Sequence, residues 1–66
     1  MNLYRLTKME LEVFRRLAHG QPVYLIAREL EIKNATVRRH CNNAMAKLQV
    51  HTRAQALYVC GKEGLV

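Results

Sequence analysis

Residues 22–48 read P-V-Y-L-I-A-R-E-L-E-I-K-N-A-T-V-R-R-H-C-N-N-A-M-A-K-L, and the apolar spacing within this stretch decides the fold. Val23, Ile26, Ala27 and Leu30 fall at i, i+3, i+4 and i+7, the stripe of one short amphipathic helix. Pro22 suits the first position of that helix, because the amide it lacks would have no intrahelical partner there. The pattern breaks at Glu31-Ile32-Lys33-Asn34, where Asn34 stands ready to cap a following helix and Ile32 to plug the core. From Ala35 to Leu48, Val37, Cys41, Ala44 and Leu48 make one line at about 3.6 residues per turn. Two helices joined by so short a connection form the helix-turn-helix signature.

Outward from this pair the sequence stays helical. Thr7 and Glu10 have capping-box spacing, with Leu6 and Leu11 at the staple positions, and they predict a helix from Lys8 to His19 that Gly20 ends. Leu11, Val13, Phe14, Leu17 and Ala18 are its apolar stripe; Lys8, Glu12, Arg15, Arg16 and His19 share the other side. Thr52 and Gln55 repeat the capping spacing and start a last helix that runs to Lys62, before Gly64. Ala56, Val59 and Cys60 point one way from it, Ala54, Tyr58 and Gly61 the other, with Leu57 between. β-branched residues never alternate over a strand length, so the expected fold is all-α with four helices. At 66 residues the chain has room for one small domain, taken as 1–66, and not for a second.

Eleven Lys and Arg against five Asp and Glu give a net charge of +6, which favours a polyanionic partner, nucleic acid first. Hydrophobic residues at 50% exclude a disordered basic tail. Two cysteines without a C-x-x-C, no leader and no long apolar run are read as a reduced, soluble, cytoplasmic chain without membrane contact. His19, His40, His51, Cys41 and Cys60 match no zinc spacing, so no metal is expected, and the cysteines read as small hydrophobes. Gly-rich phosphate loops, paired carboxylates and a Ser/His/Asp set are all missing from the sequence, and neither catalysis nor a cofactor is expected.

The outer side of the third helix carries the most information. Opposite its apolar line lie Ala35, Arg39, Asn42 and Ala46, flanked by Arg38 and Asn43. Arg donates two hydrogen bonds to guanine O6 and N7, Asn pairs with adenine N6 and N7, and the small alanines let the backbone come close. An isolated Arg pair reads as a solvated face; the short helix before this one turns the reading towards recognition. Arg5, Arg28, Lys33, Lys47 and Arg53 are scattered where several can follow phosphates, although each alone is ordinary surface charge. On the last helix, Ala54, Leu57, Tyr58 and Gly61 set an aromatic among small residues, a face that fits a weak dimer seam as well as a solvated surface.

These residues also carry a family likeness. L-T-K-M-E-L-E-V-F at 6–14, Gly20, I-A-x-x-L-x-I at 26–32, T-V-R-R-H at 36–40 and K-L-x-V-x-x-R-x-x-A at 47–56 together resemble the LuxR/GerE-type helix-turn-helix domain over nearly the whole chain, in order and without a gap. The resemblance implies a four-helix DNA-binding domain, free-standing or the output domain of a larger bacterial regulator, with 23–30 as scaffold helix and 35–48 as recognition helix. It places Arg38 at the family's basic position after Thr-Val, Arg39 and Asn42 at base- or phosphate-contacting positions, Thr36 and Lys47 at backbone-contacting or structural ones, and dimerisation on the last helix. The chain departs from the family at Pro22-Val23-Tyr24-Leu25, where Ser-Asn-Lys-Glu is common, and at Lys33, Met9, Cys41 and Ala44.

Two functions remain open on the sequence. One is a dimeric regulator that reads double-stranded DNA through Arg38, Arg39 and Asn42, with Thr36, Asn43, Lys47 and Tyr24 beside them. The other is an antagonist of the same fold, which uses the apolar Val23-Tyr24-Leu25 turn to bind a related regulator or RNA polymerase.

Overall fold

The capping box at the start of the first helix is complete. Thr7 Oγ1 accepts from the Glu10 amide at 3.0 Å, and Glu10 Oε1 accepts from the Thr7 amide at 2.8 Å. From that start, the computed structural model, which describes residues 4–66, shows four helices: α1 (Lys8–Ala18), α2 (Val23–Leu30), α3 (Asn34–Leu48) and α4 (Arg53–Lys62). No strand occurs among the described residues. Residues 1–3 of the expected 1–66 span lie outside them.

All four helices end in the same way. An amide one or two residues beyond each C-cap reaches back five positions, Gln21 to Arg16 O, Ile32 to Ala27 O, Val50 to Met45 O and Leu65 to Cys60 O, at 3.1, 2.9, 3.1 and 2.8 Å. This Schellman closure needs a left-handed residue just before that amide. Gly20 (φ 87°) and Gly64 (φ 70°) supply it at no steric cost, whereas Glu31 and Gln49, both at φ 58°, adopt it as L-residues.

Four helix ends differ in detail from the sequence-based expectation. His19 becomes the C-cap of α1, so the helix stops at Ala18, which is exposed and leaves the apolar stripe at Leu17. Pro22 is not the first helical residue: leaving the Gly20 turn, it is extended (φ −75°, ψ 160°) and acts as N-cap without a side-chain bond, its carbonyl accepting from Leu25 and Ile26. Asn34 is not the cap of α3. The turn closes at Ile32, which packs against the core, so a single extended residue, Lys33, remains to cap the helix, and Asn34 is already inside it. At α4 only half of the expected box forms: Thr52 Oγ1 accepts from the Gln55 amide, but Gln55 Oε1 accepts from the His51 amide, and the helix proper begins at Arg53.

The core collects the faces the periodicity marked. Val13 and Phe14 of α1, Ile26 and Ala27 of α2, Val37, Cys41, Ala44 and Leu48 of α3, and Ala56 and Cys60 of α4 are buried together with Leu6. Each large apolar side chain among them stabilises the fold by about 1.5–3 kcal/mol. Cys41 and Cys60 are free thiols whose ionisation burial pushes up, Arg53 offsetting this slightly at Cys41, and both serve as small hydrophobes. Helix α3 packs on all three other helices, while α2 and α4 do not approach one another. One side of α3 is thereby fixed and the other left to solvent.

Candidate nucleic-acid interface

Because Val37, Cys41, Ala44 and Leu48 are buried, the opposite side of α3 must face outward, and Ala35, Arg38, Arg39, Asn42, Asn43 and Ala46 are all exposed. Thr36, at the edge of that face, is half-buried. The structure therefore brings Arg38, Arg39, Asn42 and Asn43 onto one surface. Tyr24 stands apart from them on the first turn of α2, 63% exposed. Of its neighbours, Val23 packs against the core and Leu25 is half-buried, so Tyr24 is the one large side chain of the apolar turn that is mostly exposed.

Ion pairing sorts the cations. Arg15 and Arg16 bind Glu12, and Arg16 also reaches Glu29, which ties α1 to α2; Lys47 Nζ lies 2.8 Å from Glu10 Oε1. The other eight of the eleven, Arg38 and Arg39 among them, are exposed and pair with no carboxylate among the described residues. Three of the five glutamates are used in those pairs, so the unpaired charge is strongly positive and includes the outer face of α3. Such a face draws in phosphates and releases their counterions on contact.

Lys47 differs from the other candidates. Its ammonium is held by Glu10 and, at 3.3 Å, by the Arg5 carbonyl, so two of its three donors are satisfied inside the chain. Glu10 is the one buried charged residue of the described chain, 3% exposed. Sequence reasoning read it as a capping residue and missed its burial, because its partner is 37 positions away. Burial pushes the Glu10 carboxyl up, but the Lys47 ammonium, the Thr7 amide and the nearby His40 outweigh this and hold it below the usual 4.5. A lowered folded-state value means stability that is present above the unfolded pKa and is lost as pH falls through the folded one. The melting-temperature advantage of the unaltered chain over Glu10→Gln should therefore be full above about pH 5 and shrink as the pH drops below about 4.5. An advantage that stays constant down to acid pH would show that Glu10 is not held ionised.

On α4, Ala54, Tyr58 and Gly61 are exposed, Tyr58 by 68%, and Leu57 is half-buried. They form one outward face on a different helix from the α3 arginines. No helix among the described residues is long and apolar enough to cross a membrane.

A short scaffold helix, a left-handed turn and a longer helix with an unpaired basic outer side define a four-helix helix-turn-helix DNA-binding domain. The sequence pattern of the bacterial regulatory proteins of the luxR family matches residues 4–60, and the chain belongs to that family, whose members regulate transcription. It is 50% identical over 52 residues to the spore germination protein GerE of Bacillus subtilis, covering 79% of this chain and 70% of that one. It is 39% identical over 64 residues to the transcriptional activator protein ExaE of Pseudomonas putida, and 39% over 61 residues to the transcriptional regulatory protein LiaR of Bacillus subtilis. Those matches cover 97% and 92% of this chain but only 30% and 29% of the two relatives.

Proposed function

We propose that the 66 residues act as one domain that regulates transcription by placing α3 in the DNA major groove. The observation that carries this reading is the outer side of α3, where Arg38, Arg39 and Asn42 are exposed with no internal ion pair. Arg38 and Arg39 reach guanine edges or adjacent phosphates, and Asn42 an adenine edge. Thr36 and Asn43 flank them and set the register of the helix on the backbone. Tyr24 gives a phosphate one hydroxyl hydrogen bond beside the Val23 and Tyr24 amides, the two of the first turn of α2 that the Pro22 carbonyl does not take up. The domain works by binding, without a catalytic step, cofactor or metal, in the cytoplasm where bacterial DNA lies. A related regulator or RNA polymerase meeting the first turn of α2 would find Tyr24 alone exposed there, which favours DNA as the partner of this surface.

One such domain reads few base pairs, and a two-fold pair doubles the site. The exposed face of Ala54, Tyr58 and Gly61, with half-buried Leu57, supports a weak homodimer through α4. The test is affinity for a duplex selected by this chain from a random-sequence pool, against a shuffled duplex, over a salt series. The selected duplex should bind at least about 10³-fold more tightly, both affinities falling steeply with salt. A ratio near one would reject sequence-specific regulation. In sedimentation equilibrium Tyr58→Asp should abolish self-association, because it sets an unpaired charge in the seam. Equal monomer masses for both proteins at high concentration would reject the α4 dimer.

A further inference from the structure

The contact between Lys47 and Glu10 joins two ends that are remote in sequence: the last turn of the recognition helix and the first turn of α1. Glu10 serves both partners with one oxygen, Oε1, which accepts from the Thr7 amide at 2.8 Å and from Lys47 Nζ at 2.8 Å. The Arg5 carbonyl takes a second ammonium hydrogen bond at 3.3 Å, and Arg5 itself sits in the left-handed region (φ 58°). The Glu10 side chain is 3% exposed and that of Lys47 34%. No buried side-chain polar atom among the described residues is left without a partner. A lysine so held is not offered to a phosphate as Arg38 and Arg39 are. Moving it to DNA would leave a buried carboxylate unpaired, and that loss outweighs one more backbone contact.

We propose that Lys47 is a positioning residue: through Glu10 and the Arg5 carbonyl it fixes the end of α3 on the start of α1, sets how α3 presents Arg38, Arg39 and Asn42 to the groove, and does not itself touch phosphate. The inference rests on α3 being the DNA-reading helix. It replaces the phosphate-contacting option for this residue by a structural one with a named partner. The lever acts over distance, since Lys47 lies about two turns beyond Arg39 and Asn42 lies between them. A helix released at one end can tilt, and recognition depends on where the other end sits.

Glu10→Gln separates the two roles by sign. Glutamine keeps the capping box and so the start of α1, but removes the charge that holds the ammonium. If Lys47 positions α3, the folded variant binds the pool-selected duplex more weakly by a factor of about 2–30, with the discrimination against the shuffled duplex reduced. If Lys47 is a phosphate contact held back by Glu10, the same change frees it, so binding tightens and the salt slope steepens; that outcome overturns the proposal. Lys47→Met should weaken the folded fraction over the same range while leaving the slope of log K against log salt unchanged, and Lys47→Arg should restore most of the loss. A slope reduced by about one unit in Lys47→Met would mark a lost phosphate contact and overturn the proposal. So would an unchanged affinity per folded molecule, which would leave the ion pair a purely structural role. Should Lys47→Met fail to fold, Glu10→Gln alone decides the sign. Arg39→Ala is measured alongside: if it too leaves binding unaltered, the assignment of α3 as reading helix has failed, and not only the role of Lys47.

Discussion

Phe14→Ala should remove a large share of the stability of the fold. Phe14 has no exposed surface, lies at the centre of α1, and belongs to the cluster that receives side chains from all four helices. Truncating a buried phenylalanine costs about 3–5 kcal/mol in lost burial and residual cavity. A chain of 66 residues has on the order of 3–10 kcal/mol of total stability at the usual ~0.05–0.15 kcal/mol per residue. The loss is therefore comparable with the whole. A thermal melt followed by helical circular dichroism should show the midpoint lowered by on the order of 20 °C or no cooperative transition at all. A midpoint within a few degrees of the unaltered chain would mean that the centre of the core lies elsewhere.

Arg39→Ala should do the reverse: keep the fold and lose recognition. The side chain is exposed and makes no ion pair within the chain, so its removal leaves no buried group unpaired and no cavity. A lost base contact costs about 1–3 kcal/mol at the cognate pair, a factor of about 5–150 in affinity, while binding to a shuffled duplex changes far less. Arg38→Ala should behave similarly at a neighbouring base pair. The melting temperature should move little, since exposed substitutions away from caps and networks stay within about 0.5 kcal/mol. If Arg39→Ala binds every tested duplex as the unaltered chain does, Arg39 has no part in reading DNA.

The fold was legible where the signal is local. The Thr7/Glu10 spacing marked the start of α1, and the line Val37, Cys41, Ala44 and Leu48 gave the buried side of α3, hence its outer side by subtraction. The cap of α3 was misread because asparagine is the better capping residue, yet the position is decided by the turn before it. Once Glu31 goes left-handed and Ile32 bonds back to Ala27, Lys33 is the only residue left to be extended. Gln55 was misread for a similar reason: its side chain can serve either of two adjacent amides, and spacing does not choose between them. Least legible was the Glu10–Lys47 pair, since both residues have ordinary local readings, a capping glutamate and a surface lysine. Only the packing of α1 on α3 shows that they meet. The unpaired state of Arg38 and Arg39 is equally a tertiary fact, because it depends on which carboxylates the fold brings near.

Titrating the isotopically labelled chain with a pool-selected duplex and following its NMR signals shows whether the outer side of α3 is the surface that reads DNA. The largest shifts should fall on Arg38, Arg39, Asn42 and Asn43, with Tyr24 at the margin, while the paired Arg15 and Arg16 on α1 stay close to their free positions. Shifts centred on α1 or α4, with the α3 arginines and Asn42 unmoved, would contradict that reading.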